Sequence, residues 1–408
     1  MTTTIIPQKK QSHWTASLLV SGACIGGGML AMPVQTAEAG FFISLFALFV
    51  CWGFMSFTGL LLVEIALWLK NSTHFSSMAA QILGSWGRGL CLIVYLLMNY
   101  LSLVAYTAGS SALLDQWIFN LTGISLGYGG SCILFTLVFG SAVYLGSLFI
   151  GRLNALLMIS MAITYFAVVG ISLPNIHIDQ FSARVSWTQG VASMPLILAA
   201  YSYQMLVPSV CSYLNYDLRV LKKSILIGTT IPFLVYTLWL FIVHGIVPFE
   251  GANGLQQAFI KGTASTEPLK AHLAVPCITL LADGFAFFAL VTSYLGLSLA
   301  LFDFIGDFFK SLFQKEMQAR HNLVTFLSLF PTLILAILFP RALLQFLDLS
   351  GGFGDALLSG LIPISMVWVG RYHKKLLGEY RAPGGKLALL LAGCFALFIF
   401  LLQWVKLL

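Results

Sequence analysis

Charge is what this sequence has least of. Only 9% of its 408 residues are Asp, Glu, Lys or Arg, and 59% are hydrophobic; a soluble domain carries about 25% charged residues. That leaves too little polar surface to cover a water-soluble fold of this size, so the composition calls for a polytopic membrane protein. The net charge of +7 could suit nucleic acid. However, the basic residues sit in short loops between apolar runs, the pattern that membrane topology imposes, and no nucleic-acid partner is expected. No Gly-x-x-x-x-Gly-Lys-Ser/Thr loop appears, which excludes a nucleotide-phosphate cradle. The seven cysteines (Cys24, Cys51, Cys91, Cys132, Cys211, Cys277 and Cys394) are isolated and nearly all in apolar segments. None pairs at metal spacing, so they read as small hydrophobes. The histidines lie mostly in loops without ligand spacing, and His244 alone falls inside a span, where a structural hydrogen bond suits it. No cofactor is expected. No cleavable signal peptide is evident: Lys9 and Lys10 precede an apolar run too long for a signal h-region. A membrane-embedded enzyme would need clustered His, Asp or Cys at the bilayer surface, and a channel would need a repeated filter loop. Neither pattern is present.

What is abundant is apolar sequence in lengths of about 20 residues or more, enough to cross a bilayer. Eleven spans are predicted, at 14–37, 41–69, 89–114, 131–149, 152–173, 189–212, 224–247, 281–302, 322–339, 343–369 and 386–407. Nothing suggests a separate soluble domain. The longest polar connections are 70–88, 174–188, 248–280 and 303–321, and the third holds two surface helices near 252–260 and 267–279. With the N-terminus cytoplasmic, Lys9, Lys10, Lys70, Arg88, Arg152, Arg219, Lys222, Lys223, Lys310, Lys315, Arg320, Arg371, Lys374, Lys375, Arg381 and Lys386 are inside. Arg184, Lys261, Lys270, Arg341 and Lys406 are outside. This 16-to-5 split is a positive-inside signal, and it puts the C-terminus in the periplasm.

Two spans are interrupted. The first carries Gly22-Ala23-Cys24-Ile25-Gly26-Gly27-Gly28-Met29 where a spanning helix should be most regular. Each interior glycine costs roughly 1 kcal/mol of helix propensity relative to alanine. Unpaired backbone groups in hydrocarbon are tolerated only against protein or a water-filled cavity. The half-helix before the break offers carbonyls, which suit a cation; the half-helix after it offers free N–H groups, which suit a carboxylate. Together they describe a site for a zwitterion. Close helix packing is the other use of such glycines. The sixth span is interrupted at Ala199-Ala200-Tyr201-Ser202-Tyr203-Gln204, followed by Pro208, which removes a helical hydrogen bond. Breaks at matching positions of two five-helix halves point to a transporter binding site.

Further candidates follow from position. Tyr201 and Tyr203 could stack on a flat ring or gate it. Thr292 and Ser293, adjacent hydroxyls in the eighth span, could ligate a cation with carbonyls of the first break, or merely bond back to their own helix. Asn99 and Tyr106, seven apart, share a face of the third span. Among the carboxylates Glu38, Glu64, Asp283, Asp348 and Asp355, most sit near span ends. Glu38 and Glu64 suit proton coupling, or capping of the freed N–H groups of broken helices.

The first-span stretch through Leu30-Ala31-Met32-Pro33 resembles the signature of the hydroxy and aromatic amino acid permeases, the bacterial tyrosine and tryptophan permeases. So do Val207-Pro208-Ser209, the pair Ile227-Gly228 and Ile231-Pro232, and Thr292-Ser293-Tyr294-Leu295-Gly296 through Leu301-Phe302-Asp303-Phe304. Pro33-Val34-Gln35-Thr36-Ala37-Glu38 also resembles the sodium-coupled members of the same superfamily fold. The resemblance implies an all-α leucine-transporter fold. Two inverted five-helix repeats (about 14–173 and 189–369) would be followed by one extra helix at 386–407. It implies a monomeric secondary active transporter in the inner membrane, importing an aromatic amino acid, tyrosine first, with tryptophan or another neutral amino acid as the alternative. By the same resemblance Gly26, Gly27 and Gly28 would bind the substrate carboxylate, and Tyr201 and Ser202 would line the side-chain pocket. Gly22, Ile25, Thr292 and Ser293 would form the position where sodium binds in relatives. Protons are the coupling ion the family favours. The paired hydroxyls, and the lack of a lysine in the fifth span, keep sodium open. The chain departs from the family pattern at Ser202, usually glycine, and at Gln204, often histidine.

Overall fold

A chain that must satisfy every backbone polar group inside hydrocarbon becomes helical, and this one does. The computed structural model describes residues 12–70, 74–182, 184–273, 275–312 and 317–408, with side chains left undescribed at 276, 307–312 and 317–320. Among the described residues ten helices are long and apolar enough to span a bilayer. A bent pair, His13–Cys24 and Gly27–Gln35, meets at 52° and makes the eleventh span. The others are Phe41–Trp68, Phe75–Thr122, Gly127–Leu145, Ser147–Ser172, Trp187–Tyr213, Leu218–Ile246, Pro276–Leu312, Met317–Leu338, Ala342–His373 and Gly385–Leu407. This is a multi-pass membrane protein. The fifth span turns Leu156, Ile159, Ile163 and Phe166 outward, a stripe at helical spacing that suits lipid contact.

Most predicted boundaries agree with the helices, except that the eighth helix runs on to Leu312, past the predicted 302, and that the third starts early. Its helix begins at Phe75, well before the predicted 89, so much of the 70–88 connection is helical. Gly84 breaks it, with φ of 82° and ψ of −170°, a conformation that side chains strain to adopt. The two predicted surface helices are present as Leu255–Lys261 and Thr266–Leu273.

The first span packs mainly on the seventh, the eighth on the fifth, and the sixth on the tenth and second. Basic residues gather in two groups. Arg341 and Lys406, with Glu38 and Asp348, line a vestibule of about 1120 Å³. Lys270 bridges Glu267 at 2.8 Å and Asp283 at 2.7 Å. Burial lowers its pKa, but the Asp283 and Glu267 hydrogen bonds outweigh that, so the ammonium titrates above the ordinary lysine value. In the other group, Arg371 grips Glu64 with Nε at 2.7 Å and Nη2 at 2.5 Å, and Lys70 pairs with Glu379. Lys9, Lys10 and Lys315 lie outside the described residues, as do the side chains of Lys310 and Arg320.

Candidate functional site

The first break is a place where three other spans press on the backbone. A Cβ at Gly26 would strike Ser293 Oγ. One at Gly27 would lie 2.6 Å from Tyr106 Cε1 and 2.8 Å from Leu290 Cδ2. One at Gly28 would lie 3.0 Å from Ala200 Cβ. The eighth, third and sixth spans therefore all meet the glycine run, which is why three consecutive residues without side chains are needed. The Gly27 N–H donates to Ser293 Oγ at 3.2 Å, so any acceptor arriving at this half-helix competes with that hydroxyl.

The second break faces the first. Helix stops at Ala200 and resumes at Val207, with a short turn at Gln204–Leu206 between. Tyr236 of the seventh span links the two. Its hydroxyl lies 2.7 Å from the Cys24 carbonyl and 2.9 Å from the Ala200 carbonyl, the closing residues of both half-helices. A phenol has one hydrogen to donate, so the two carbonyls share it. Tyr201 is fully buried and packs edge-on against Tyr236, with ring centroids 5.3 Å apart. Its own hydroxyl has no hydrogen-bond partner.

Several expected residues are drawn together here: Gly26, Gly27 and Gly28 meet Tyr106, Ser293 and Ala200, with Tyr201 and Ser202 next in the chain. Others are placed elsewhere. Tyr203 runs into the second span, where its hydroxyl donates to the Met55 carbonyl at 3.0 Å. Gln204 follows it, donating to Thr58 Oγ1 at 3.2 Å and accepting from the Tyr203 N–H. These two anchor the break instead of facing the glycines. Asn99 donates to its own helix at the Tyr95 carbonyl. Thr292 and Ser293 both bond back to the Ala289 carbonyl at 3.1 Å, as short hydroxyls on helices commonly do. Gly22 packs under Met158 of the fifth span. The break itself begins at Ile25, which caps the first half-helix.

The carboxylates are spread over the fold. Glu38 is exposed at the vestibule wall, away from Thr292 and Ser293, because the short turn Ala37–Ala39 carries it beyond the membrane half-helix. Glu64 does not cap a broken helix. It holds Arg371 and accepts from the Ala382 N–H at 2.7 Å, tying the second and tenth spans to the loop before the eleventh. Asp355 is the carboxylate that stands away from the span ends. It lies near the middle of Ala342–His373, fully buried, on a wide helical stretch, Ser350–Leu361. Its Oδ1 accepts from Ser202 Oγ and Ser359 Oγ, each at 2.8 Å. The signal that could have found it is Ser350-Gly351-Gly352-Phe353-Gly354-Asp355, a second glycine-rich stretch. Its glycines let the tenth span approach the sixth at Pro195, the eleventh at Gln403 and the third at Met98. Tyr236 had no comparable signal.

Comparison with known proteins agrees with this architecture. The model of the tryptophan/tyrosine permease family matches residues 9–403. The tyrosine-specific transport system 1 of Haemophilus influenzae is 29% identical over 92% of this chain and 92% of its own length. The tryptophan-specific transport protein of the same organism is 26% identical over 93% of each. Glutamine transporter 2 of Aliivibrio fischeri is 27% identical over 95% of this chain and 98% of that one.

Proposed function

The chain belongs to the tryptophan/tyrosine permease family, a family of transporters and not of enzymes, and we propose from this that it is a secondary active transporter importing an aromatic amino acid, tyrosine first. It works by alternating access in a leucine-transporter fold, with spans 1, 2, 6 and 7 rocking against spans 3, 4, 8 and 9 and the eleventh span lying outside the repeats. The carrying observation is the pair of facing breaks joined through Tyr236. Two interrupted spans meeting at mid-membrane provide both N–H and carbonyl ends for a zwitterion. The N–H ends around Gly26, Gly27 and Gly28 take the carboxylate, which displaces Ser293 Oγ from the Gly27 N–H. Tyr106, Tyr201 and Ser202 wall the side-chain pocket. Tyr201 is the aromatic face, and its unpartnered hydroxyl can donate to a substrate phenol or accept from an indole N–H.

Import is driven by an ion moving inward, a proton by preference. One charge crossing 100 mV supplies about 2.3 kcal/mol, enough for tens-fold accumulation. Sodium at Gly22, Ile25, Thr292 and Ser293 is the alternative, favoured by the juxtaposition of Ser293 with the first break. The basic residues orient the N-terminus to the cytoplasm of a bacterium and the C-terminus to the periplasm, in the inner membrane. The test is uptake of labelled L-tyrosine into proteoliposomes under an imposed pH or sodium gradient, with L-tryptophan, L-phenylalanine and L-glutamine as competitors. Tyrosine uptake that the aromatic amino acids compete away, and glutamine does not, is expected. Flux indifferent to both gradients refutes symport, and glutamine outcompeting tyrosine refutes the substrate.

A further inference from the structure

Among the described residues, Asp355 is the one mid-span carboxyl tied to a helix break. Two hydroxyls point at Oδ1, from Ser202 in the sixth-span break and from Ser359 one turn on. Oδ2 is buried with no hydrogen-bond partner. None of the ion pairs among the described residues includes Asp355. The other charged groups along its span are already matched: Asp348 holds Lys406 of the eleventh, and Arg371 holds Glu64 of the second.

The groups facing it are neutral acids or uncharged. The Cys24 thiol of the first span and the Tyr106 phenol of the third are close enough to feel its charge. Met98 of the third span lies against Ser202 and Gly354, and Tyr201 adjoins Ser202 on the sixth. On the second span the Cys51 thiol is turned to the Met194 carbonyl. On the eleventh, Gln403 donates to Asp348. An unpaired carboxylate in such a place is far costlier than a carboxylic acid, because no cation among the described residues pairs with it.

We propose that Asp355 is the proton-binding group that couples this transporter to a proton gradient, and that Ser202 carries its state to the sixth-span break. The proposal rests on the reading of the chain as an aromatic amino acid importer. When the site opens outward, the Asp355 carboxylate takes a proton from water to become the neutral acid, with the proton on Oδ2. In that form it can be enclosed. When the site opens inward the O–H bond breaks, the proton passes to cytoplasmic water, and the carboxylate is restored. One proton thus enters with each turnover. Ser202 belongs to the non-helical link that must change as the two halves of the sixth span move. Its bond to Oδ1 is therefore strong when the carboxyl is charged and weak when it is neutral, which ties the geometry of the break to the proton.

The experiment uses purified full-length protein in proteoliposomes, sodium-free apart from one arm with a sodium gradient and no pH gradient, with both L-tyrosine and L-tryptophan as probes. Exchange between labelled and unlabelled amino acid needs no net proton movement; accumulation under a pH gradient does. With the outside one unit more acidic, one-to-one coupling gives the wild type up to about tenfold accumulation, accompanied by acidification of a trapped pH dye. In D355N, exchange remains measurable, while the accumulation ratio falls to about one and the substrate-dependent acidification disappears. In S359A a donor that favours the charged carboxylate is lost, so half-maximal uptake moves to higher pH with accumulation retained. Undiminished accumulation by D355N overturns the assignment. So do loss of exchange and accumulation together in D355N, an unshifted pH profile in S359A, and wild-type accumulation driven by sodium alone. Wild-type liposomes that exchange neither amino acid refute the aromatic substrate, and the inference with it; that outcome is separate from any behaviour of the variants.

Discussion

Gly26 and Ser293 offer a sharp test of how the first break is held. Gly26 has φ of −173°, extended backbone that alanine accepts without strain, so Gly26→Ala acts only through space. The added methyl strikes Ser293 Oγ, while the next atoms, Ser293 Cβ and the Ala289 carbonyl oxygen, are at ordinary distances of 3.5 and 3.6 Å. The hydroxyl must leave, and with it goes the bond to the Gly27 N–H. Ser293→Ala removes the same hydroxyl directly. Each single change leaves a buried N–H unpaired, which costs about 1–3 kcal/mol. If that N–H helps to bind the substrate carboxylate, its competitor is gone and affinity for L-tyrosine rises by up to about 5- to 150-fold. The double variant has lost nothing further: the clash is gone and the N–H is orphaned once. Its affinity should match that of the single variants, giving a coupling energy about equal in size to either single effect, within the ~0.5–3 kcal/mol typical of contacting pairs. Equilibrium binding of labelled L-tyrosine to the four purified proteins measures it, with size-exclusion profiles to verify folding. Lowered affinity in the single variants, or gains that multiply in the double variant, would show that Gly26 and Ser293 act on different things, and would refute this account of the break.

Glu64→Gln leaves the Arg371 guanidinium buried, at 3% side-chain exposure, without its anion. Breaking such a pair costs about 3–5 kcal/mol, and a thermal-unfolding curve unchanged from the wild type would contradict that. Tyr203→Phe strips the donor from the Met55 carbonyl and should cost about 1 kcal/mol of stability while the order of preference among aromatic substrates stays as it was; a switched preference would put Tyr203 back in the pocket. Lys270 sets a pH limit. Its folded-state pKa is raised, so the stability it contributes is fully present below the ordinary lysine value of 10.5 and lost as pH rises through the raised value. Unfolding temperatures should therefore differ between wild type and Lys270→Met by a constant amount from pH 7 to 9 and converge only in strong alkali; convergence at neutral pH would exclude the Glu267 and Asp283 pairing as its source.

Sequence alone determined the parts of this protein that arise within one segment. The spans follow from apolar length, and the breaks at Gly26 and Tyr201 from glycine and proline inside such lengths, because a helix in hydrocarbon has to satisfy its own backbone wherever it is not broken on purpose. The surface helices at 255–261 and 266–273 were legible for the same local reason, while the helix from Phe75 was masked by the polar residues around Gly84. What only tertiary structure decided is which side chains meet. Ser202 finds Asp355, Tyr236 finds both Cys24 and Ala200, and Glu64 finds Arg371 across 307 positions of chain. Tyr203, equally placed in the sequence beside the break, turns instead to Met55. In a chain this poor in charge, each buried polar group has few partners to choose from, and the packing of distant spans selects among them. The carboxylate at Asp355 reads as one acidic residue among several until the tenth span is set against the sixth.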